Sequence, residues 1–436
     1  MTAMKRKISF FRAFVIAGTL LALSAAASHG AENGKFALDG FYKFIFTAYD
    51  FPAGRSEIEL PIDFVIWSAG FLGRLNGHYY PCERLSFDIS YNFAPRVSDP
   101  MLPYLTDYTP IGIKTDPQGY RVDDINSRLY PDSWDEDQGI AFFQNFDRLF
   151  MTVETKKADF FIGRQAIAWG SARVMNPTDI IAPFSYDEIN TEERFGVDAF
   201  RARVPLGFMG ELDAGYVSGS NFDFDRSAVY LRSKFYALKT DFSLLSVGFR
   251  GNLLAGFDMA RSLGGAGFWC EAAYVWADAL SGDRESDRYD YFRGTVGLDY
   301  SFGDRTYGFL EYHYNQPGCA KAENYLDLLS TPAYTEGAVY LLGEHYLIPG
   351  VNYQLTPLIT LSGQVLLNVR EPSGYLTPRF EYNAGTNVYI VCGAFIGLGE
   401  CPIFTADLDE REVRAELFSE FGSYTDTFFA SVRGYF

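Results

Sequence analysis

No stretch of eighteen or more apolar residues follows Ala27. That excludes a helical membrane span, which takes about 20 consecutive apolar residues. Histidine is scarce, with 4 in 436 residues, and His78, His313 and His345 are the ones beyond position 30. No Gly-x-Ser-x-Gly elbow, Walker loop, His-Glu-x-x-His or Cys-x-x-Cys pair is present. Catalysis needs a nucleophile, a base and an orienting group, so an enzyme is not expected. The five cysteines, Cys82, Cys270, Cys319, Cys392 and Cys401, are too few and scattered for a disulfide scaffold or metal knuckle. Cys392 and Cys401 remain candidates to bridge a loop. Basic residues are outnumbered 37 to 55, a formal charge of −18, which argues against nucleic acid as a partner. No cofactor and no metal are expected. The acidic stretches Asp132–Asp137 and Asp283–Asp287 have Ca²⁺-like spacings but match no twelve-residue calcium loop, and solvated loops are their expected state.

Aromatic residues are abundant: 17% of the chain, with 40 Phe and 30 Tyr, far above a typical soluble domain. Residues 1–27 read as a cleaved secretory signal. Lys5, Arg6, Lys7 and Arg12 are its basic start, Phe14–Leu23 its apolar middle, and Ala25-Ala26-Ala27 its cleavage site. Residues 28–436 then form a single domain. At the other end, Phe428, Ala430, Val432, Gly434 and Phe436 share one face of an alternating run; Phe429, Ser431, Arg433 and Tyr435 share the other. That is the period of a β-strand. A strand ending on an aromatic residue resembles the closing strand of bacterial outer-membrane β-barrels, in which Phe436 would be the signal read by the barrel-assembly machinery.

Alternation recurs along the chain. Leu85, Phe87, Ile89, Tyr91 and Phe93 oppose Ser86, Asp88, Ser90 and Asn92; Val229, Leu231 and Phe235 oppose Tyr230, Arg232 and Lys234. One face suits lipid and the other a polar lumen. Tight turns such as Leu263-Gly264-Gly265 and Phe302-Gly303-Asp304-Arg305 join some strands; long polar stretches such as 95–141, 170–195, 316–335 and 399–424 join others. The expected fold is all-β: a transmembrane antiparallel β-barrel of about eighteen strands, sixteen being the alternative, with short periplasmic turns and long extracellular loops.

Residues 159–207 are the most distinctive. Phe161-Ile-Gly-Arg-Gln165, Ala168-Trp169-Gly170, Asn176-Pro177-Thr178-Asp179, Phe195-Gly-Val-Asp198 and Arg201-Ala-Arg203 follow one another. This run resembles a group of porin-like outer-membrane barrels that includes alginate-export-type and related uncharacterised families. Trp169 is expected where its strand leaves the bilayer. Asn176, Pro177, Thr178 and Asp179 form a capped turn before the apolar Ile180 and Ile181. Such a loop is expected either to fold inward and narrow the channel or to pack at a subunit contact.

Strand parity turns Arg164, Arg201, Arg203, Arg232, Lys234 and Arg293 toward the lumen, because a charge on the lipid face costs about 2–4 kcal/mol near the midplane. Glu154, Glu211, Asp213, Glu271 and Asp299 are expected to pair with them; cations left free would attract anions. The expected function is an outer-membrane channel for passive passage of small hydrophilic, possibly anionic, solutes in a Gram-negative cell. A plugged barrel serving as a scaffold, or an exporter of an acidic polysaccharide as the resemblance implies, are the alternatives. Expected partners are membrane lipid and lipopolysaccharide, the assembly machinery and small solutes, with a homotrimer left open.

Overall fold

The computed structural model describes residues 31–32, 35–51, 66–100, 102, 117–123, 128–130, 139–184, 186, 188–189, 192–207, 209–281, 288–407 and 412–436. The signal-peptide reading of 1–27 and both acidic stretches fall outside them. Among the described residues one closed sheet dominates. Its strands begin with β1 Phe36–Asp50, β2 Ile66–Cys82, β3 Leu85–Ser98, β4 Ile140–Glu154, β5 Asp159–Ala166 and β6 Gly196–Leu206. Next come β7 Gly210–Val217, β8 Ala228–Ala237, β9 Thr240–Phe249, β10 Asn252–Leu263, β11 Ala266–Trp276 and β12 Tyr291–Phe302. The circuit finishes with β13 Thr306–Asn315, β14 His345–Thr356, β15 Ile359–Asn368, β16 Ser373–Gly385, β17 Val388–Leu398 and β18 Asp426–Tyr435.

Every strand pairs antiparallel with its sequence neighbours, and β18 pairs with β1 from Asp50↔Asp426 to Phe41↔Tyr435. The count is eighteen, and no edge is left open. Gly40 and Phe436 exchange both backbone hydrogen bonds at 3.0 Å, so the last residue completes the ladder. Hairpins such as Leu238-Lys239 and Gly264-Gly265 sit at one end, and the long connections 99–139, 167–195, 316–344 and 399–425 at the other.

The apolar face points outward. Phe46, Leu75, Phe87, Leu149, Phe200, Leu231, Leu298, Leu361 and Phe428 are all exposed. A continuous exposed apolar band of this kind is stable only against lipid. The packed core lies inside the barrel instead, where loops meet the upper inner wall. Ile167, Trp169, Ile180 and Ile181 pack on Val197, Val217, Tyr230, Val247, Leu254 and Val275. Farther round, Leu341 and Phe421 pack on Tyr346, Ile348, Leu366 and Tyr375.

Candidate functional site

The connection between β5 and β6 crosses the lumen. It is held by two wall carboxylates, both wholly buried. Glu271 on β11 accepts the backbone N–H groups of Ser171 (3.1 Å), Ala172 (3.3 Å) and Thr178 (2.9 Å), and the Thr178 hydroxyl (2.7 Å). Glu311 on β13 accepts the N–H groups of Arg173 (2.8 Å) and Met175 (2.9 Å), and the Trp269 indole (3.1 Å). A loop inside a barrel has no ladder partner for its amides, and each amide left unpaired is costly. A carboxylate, with about four acceptor positions, satisfies several at once. Arg293 and Thr295 on β12 complete the seat by donating to the carbonyls of Pro177 (3.0 Å) and Met175 (2.8 Å).

The Trp169-Gly170 step has a local cause. Gly170 has φ +99°, and a Cβ there would lie 2.3 Å from Asn176 Oδ1 and 2.7 Å from Glu271 Oε2. Only glycine lets the chain turn inward against its own clamp. Trp169 is therefore not at a membrane interface. It is buried in the lumen, edge-on to Tyr230 at 4.9 Å.

Asp179 closes the turn. Its carboxylate binds Arg194, which also donates to the Ala182 carbonyl at 2.8 Å. Burial pushes the Asp179 carboxyl up to about 6, against the pull of Arg194; unfolded, it titrates near about 4. The folded chain thus holds this proton more tightly. The contribution is fully present below about pH 4 and is lost as pH rises through about 6. Hydrogen-exchange protection of amides 167–184, corrected for intrinsic rates, should accordingly rise on acidification from about pH 7 to about pH 4. Asp179→Asn should flatten that profile; an unchanged profile would refute the assignment.

Cations line the wall from β16 through β18 and β1 to β8. Arg164 forks onto Asp198 with two bonds of 2.8 Å, and Arg201 binds Asp213 through Nε at 2.8 Å and a second short contact. Asp147 receives Arg74 at 2.8 Å, Arg121 at 2.9 Å and Arg148 at 2.5 Å. The ladder slips at this point: Ser90 faces Arg148 and Tyr91 faces Phe146, leaving Asp147 as the extra residue of a bulge. The bulge buries Asp147 and Arg148 together, whereas strict alternation would separate them.

Three of the expected cations have no carboxylate at ion-pair distance among the described residues. Arg203 lies over the Phe161 ring at 4.7 Å, Arg232 donates to Ser243 Oγ at 2.9 Å, and Lys234 is exposed opposite Glu211 in the register. Of the expected pairs between lumenal acids and strand cations, Asp213 with Arg201 is present, whereas Asp299 binds the loop residue Arg173 at 2.9 Å instead. Glu271 is likewise diverted, its oxygens taken up by loop amides. Nor is Arg293 a free pore charge: it is buried and spent on carbonyls of Pro177, Gly337 and Ala338. Asn176, Pro177, Thr178 and Asp179 all lie inside the barrel. Cys392 and Cys401 are both free thiols. Among the described residues no group of three or more His, Cys, Asp or Glu is placed to hold a metal.

Sequence reasoning missed Lys43, Arg74, Asp147, Glu192, Glu193, Arg194, Glu311, Arg379 and Glu381. Parity was a usable signal for Lys43 and Arg74. Nothing local marks the loop glutamates as their partners.

Between the loop and the β12–β18 wall a cavity of about 830 Å³ remains. Phe309, Phe395 and Phe429 line one part of it; Asn352, Gln364, His313 and Arg379 supply polar groups. A closed antiparallel barrel of eighteen strands matches the solved structures of outer-membrane porins. The fold is a porin fold. It is similar to OccAB2 of Acinetobacter baumannii, with TM-score 0.54 at 8% identity over 92% of this chain and 98% of that one. OccD3 of Pseudomonas aeruginosa gives TM-score 0.50 at 10% identity over 91% of each chain. OpdK of the same organism, solved with vanillate, gives TM-score 0.50 at 10% identity over 92% of this chain and 98% of that one. No protein-family model and no curated protein matches the sequence. What this porin-fold chain shares with those structures is architecture.

Proposed function

We propose that this porin-fold chain is an outer-membrane channel of a Gram-negative cell, through which small hydrophilic solutes diffuse with a preference for anions. The observation that carries this reading is the inward loop. It narrows a closed barrel to a cavity of about 830 Å³ without leaving the lumen wall bare of charge. Arg203, Arg232 and Lys234, on β6 and β8 outside the lining of that cavity and with no carboxylate at ion-pair distance among the described residues, give the anion preference its physical basis, as arginines do in anion pores. The preference is local: the chain as a whole is acidic, with a formal charge of −18. Vanillate, with which OpdK was solved, is itself a small organic anion, and a solute of that size fits the cavity. The apolar outer band suits membrane lipid and lipopolysaccharide, and Phe436 at the closing ladder suits recognition by the assembly machinery.

Refolded protein without residues 1–27 should give steady openings in a planar bilayer, with a reversal potential displaced toward that of the anion under a salt gradient. A correctly folded, heat-modifiable barrel that stays electrically silent would overturn the channel reading.

A further inference from the structure

The junction that closes the barrel carries a conflict. In the β1–β18 register Lys43 stands directly opposite Arg433, and like charges so placed repel across a sheet. Neither can escape to bulk water, since their side chains are 4% and 11% exposed. The resolving charge comes from a third place in the chain. Glu192, near the end of the inward loop, holds Lys43 Nζ at 3.1 Å and also binds Arg433 Nη1. Its other oxygen accepts the Tyr435 hydroxyl at 3.3 Å. Glu381 on β16 takes Arg433 Nη2 at 2.9 Å and Arg379 at 3.2 Å. The ladder Arg379–Glu381–Arg433–Glu192–Lys43 therefore alternates in sign across the seam, with the loop carboxylate standing between Arg433 of β18 and Lys43 of β1.

The neighbouring residues fix the register of this contact. Glu193 lies 3.5 Å from Arg74 and 3.8 Å from Arg148, while Arg194 is committed to Asp179. Three consecutive charges thus reach three separate sets of partners, which specifies how the loop end sits. Burial raises the Glu192 carboxyl, but the pull of Lys43 and Arg433 outweighs it and holds the group below its ordinary value.

We propose that Glu192 is a latch on the closing seam: the inward loop supplies the negative charge that lets Lys43 and Arg433 face each other, so that loop seating and barrel closure are coupled. Two consequences follow from the one contact. Without the Glu192 charge the seam is less stable, and the lumen loses one negative charge beside Lys43 and Arg433, Arg433 keeping its pair with Glu381.

The test uses the refolded barrel and the variants Glu192→Gln, Lys43→Met and their combination. Gln keeps the shape and removes the charge. The temperature at which the folded, heat-modifiable form converts to the unfolded one should fall by about 3 °C or more in Glu192→Gln. The double variant should recover most of that loss, because removing Lys43 removes the repulsion. Melting of Glu192→Gln at the wild-type temperature would overturn the latch, as would a double variant no better than Glu192→Gln. Should Glu192→Gln fail to fold, a folded double variant supports the proposal and an unfolded one overturns it. The reversal potential of Glu192→Gln should also move toward the anion, an arm that rests on the channel reading. Lost stability with no such movement supports the latch and counts against anion preference.

Discussion

Replacing Glu271 and Glu311 together by alanine should raise the single-channel conductance several-fold and make the openings noisy. The two carboxylates accept, between them, the amides of Ser171, Ala172, Arg173, Met175 and Thr178. Each buried N–H left without a partner costs about 1–3 kcal/mol. Five such losses come to about 5–15 kcal/mol, at least comparable to the roughly 5.5 kcal/mol that carries a two-state equilibrium from one side to the other. The apolar contacts of Ile167, Ile180 and Ile181 oppose release, so the loop exchanges between seated and unseated states, hence the noise. The single glutamine variants should fall between, since an amide keeps one acceptor oxygen but turns its NH₂ toward donors. Glu211→Gln is the control: it removes a lumenal charge without touching the loop. An unchanged conductance from a folded double-alanine barrel would show that the loop does not limit the pore.

Neutralising Arg203, Arg232 and Lys234 together should abolish the anion preference, bringing the reversal potential under a salt gradient close to zero with little loss of stability. Among the described residues none of the three is held at ion-pair distance by a carboxylate, and Asp258, which Arg232 and Lys234 face at longer range, keeps its hydrogen bond from Ser171. Arg201→Gln should behave in the opposite way. It strands Asp213, which is 1% exposed and bonded to Arg201 through both oxygens. Breaking one side of a buried pair costs about 3–5 kcal/mol. The folded form should therefore become less heat-resistant while selectivity changes little. Raising the salt concentration should weaken the wild-type preference by screening. A triple variant that keeps the wild-type reversal potential would locate selectivity elsewhere in the lumen.

The candidate site was half legible. Alternation in Val229–Lys234 and Ala199–Val204 assigns Arg201, Arg203 and Arg232 to the lumen, and there they lie. The same rule fails at Asp147, because a single bulged residue resets the parity without any mark in the composition. It also fails for Trp169. An aromatic just past a strand end suits a membrane interface equally well, and what turns it inward is the combination of Gly170 with an acceptor 100 residues away, Glu271.

Arg293 and Glu271 were assigned the right face and the wrong task. Parity says where a side chain points; it does not say whether a carbonyl, an amide or an opposite charge will meet it. A period of two is a property of neighbouring residues, so the barrel, its lipid face and an approximate strand number could be read from alternation and turn spacing. The pairing of charges is set by closure. Lys43, Glu192 and Arg433 are brought together only when β18 meets β1 and the inward loop reaches across. No local pattern encodes that meeting, because its energy exists only in the assembled lumen.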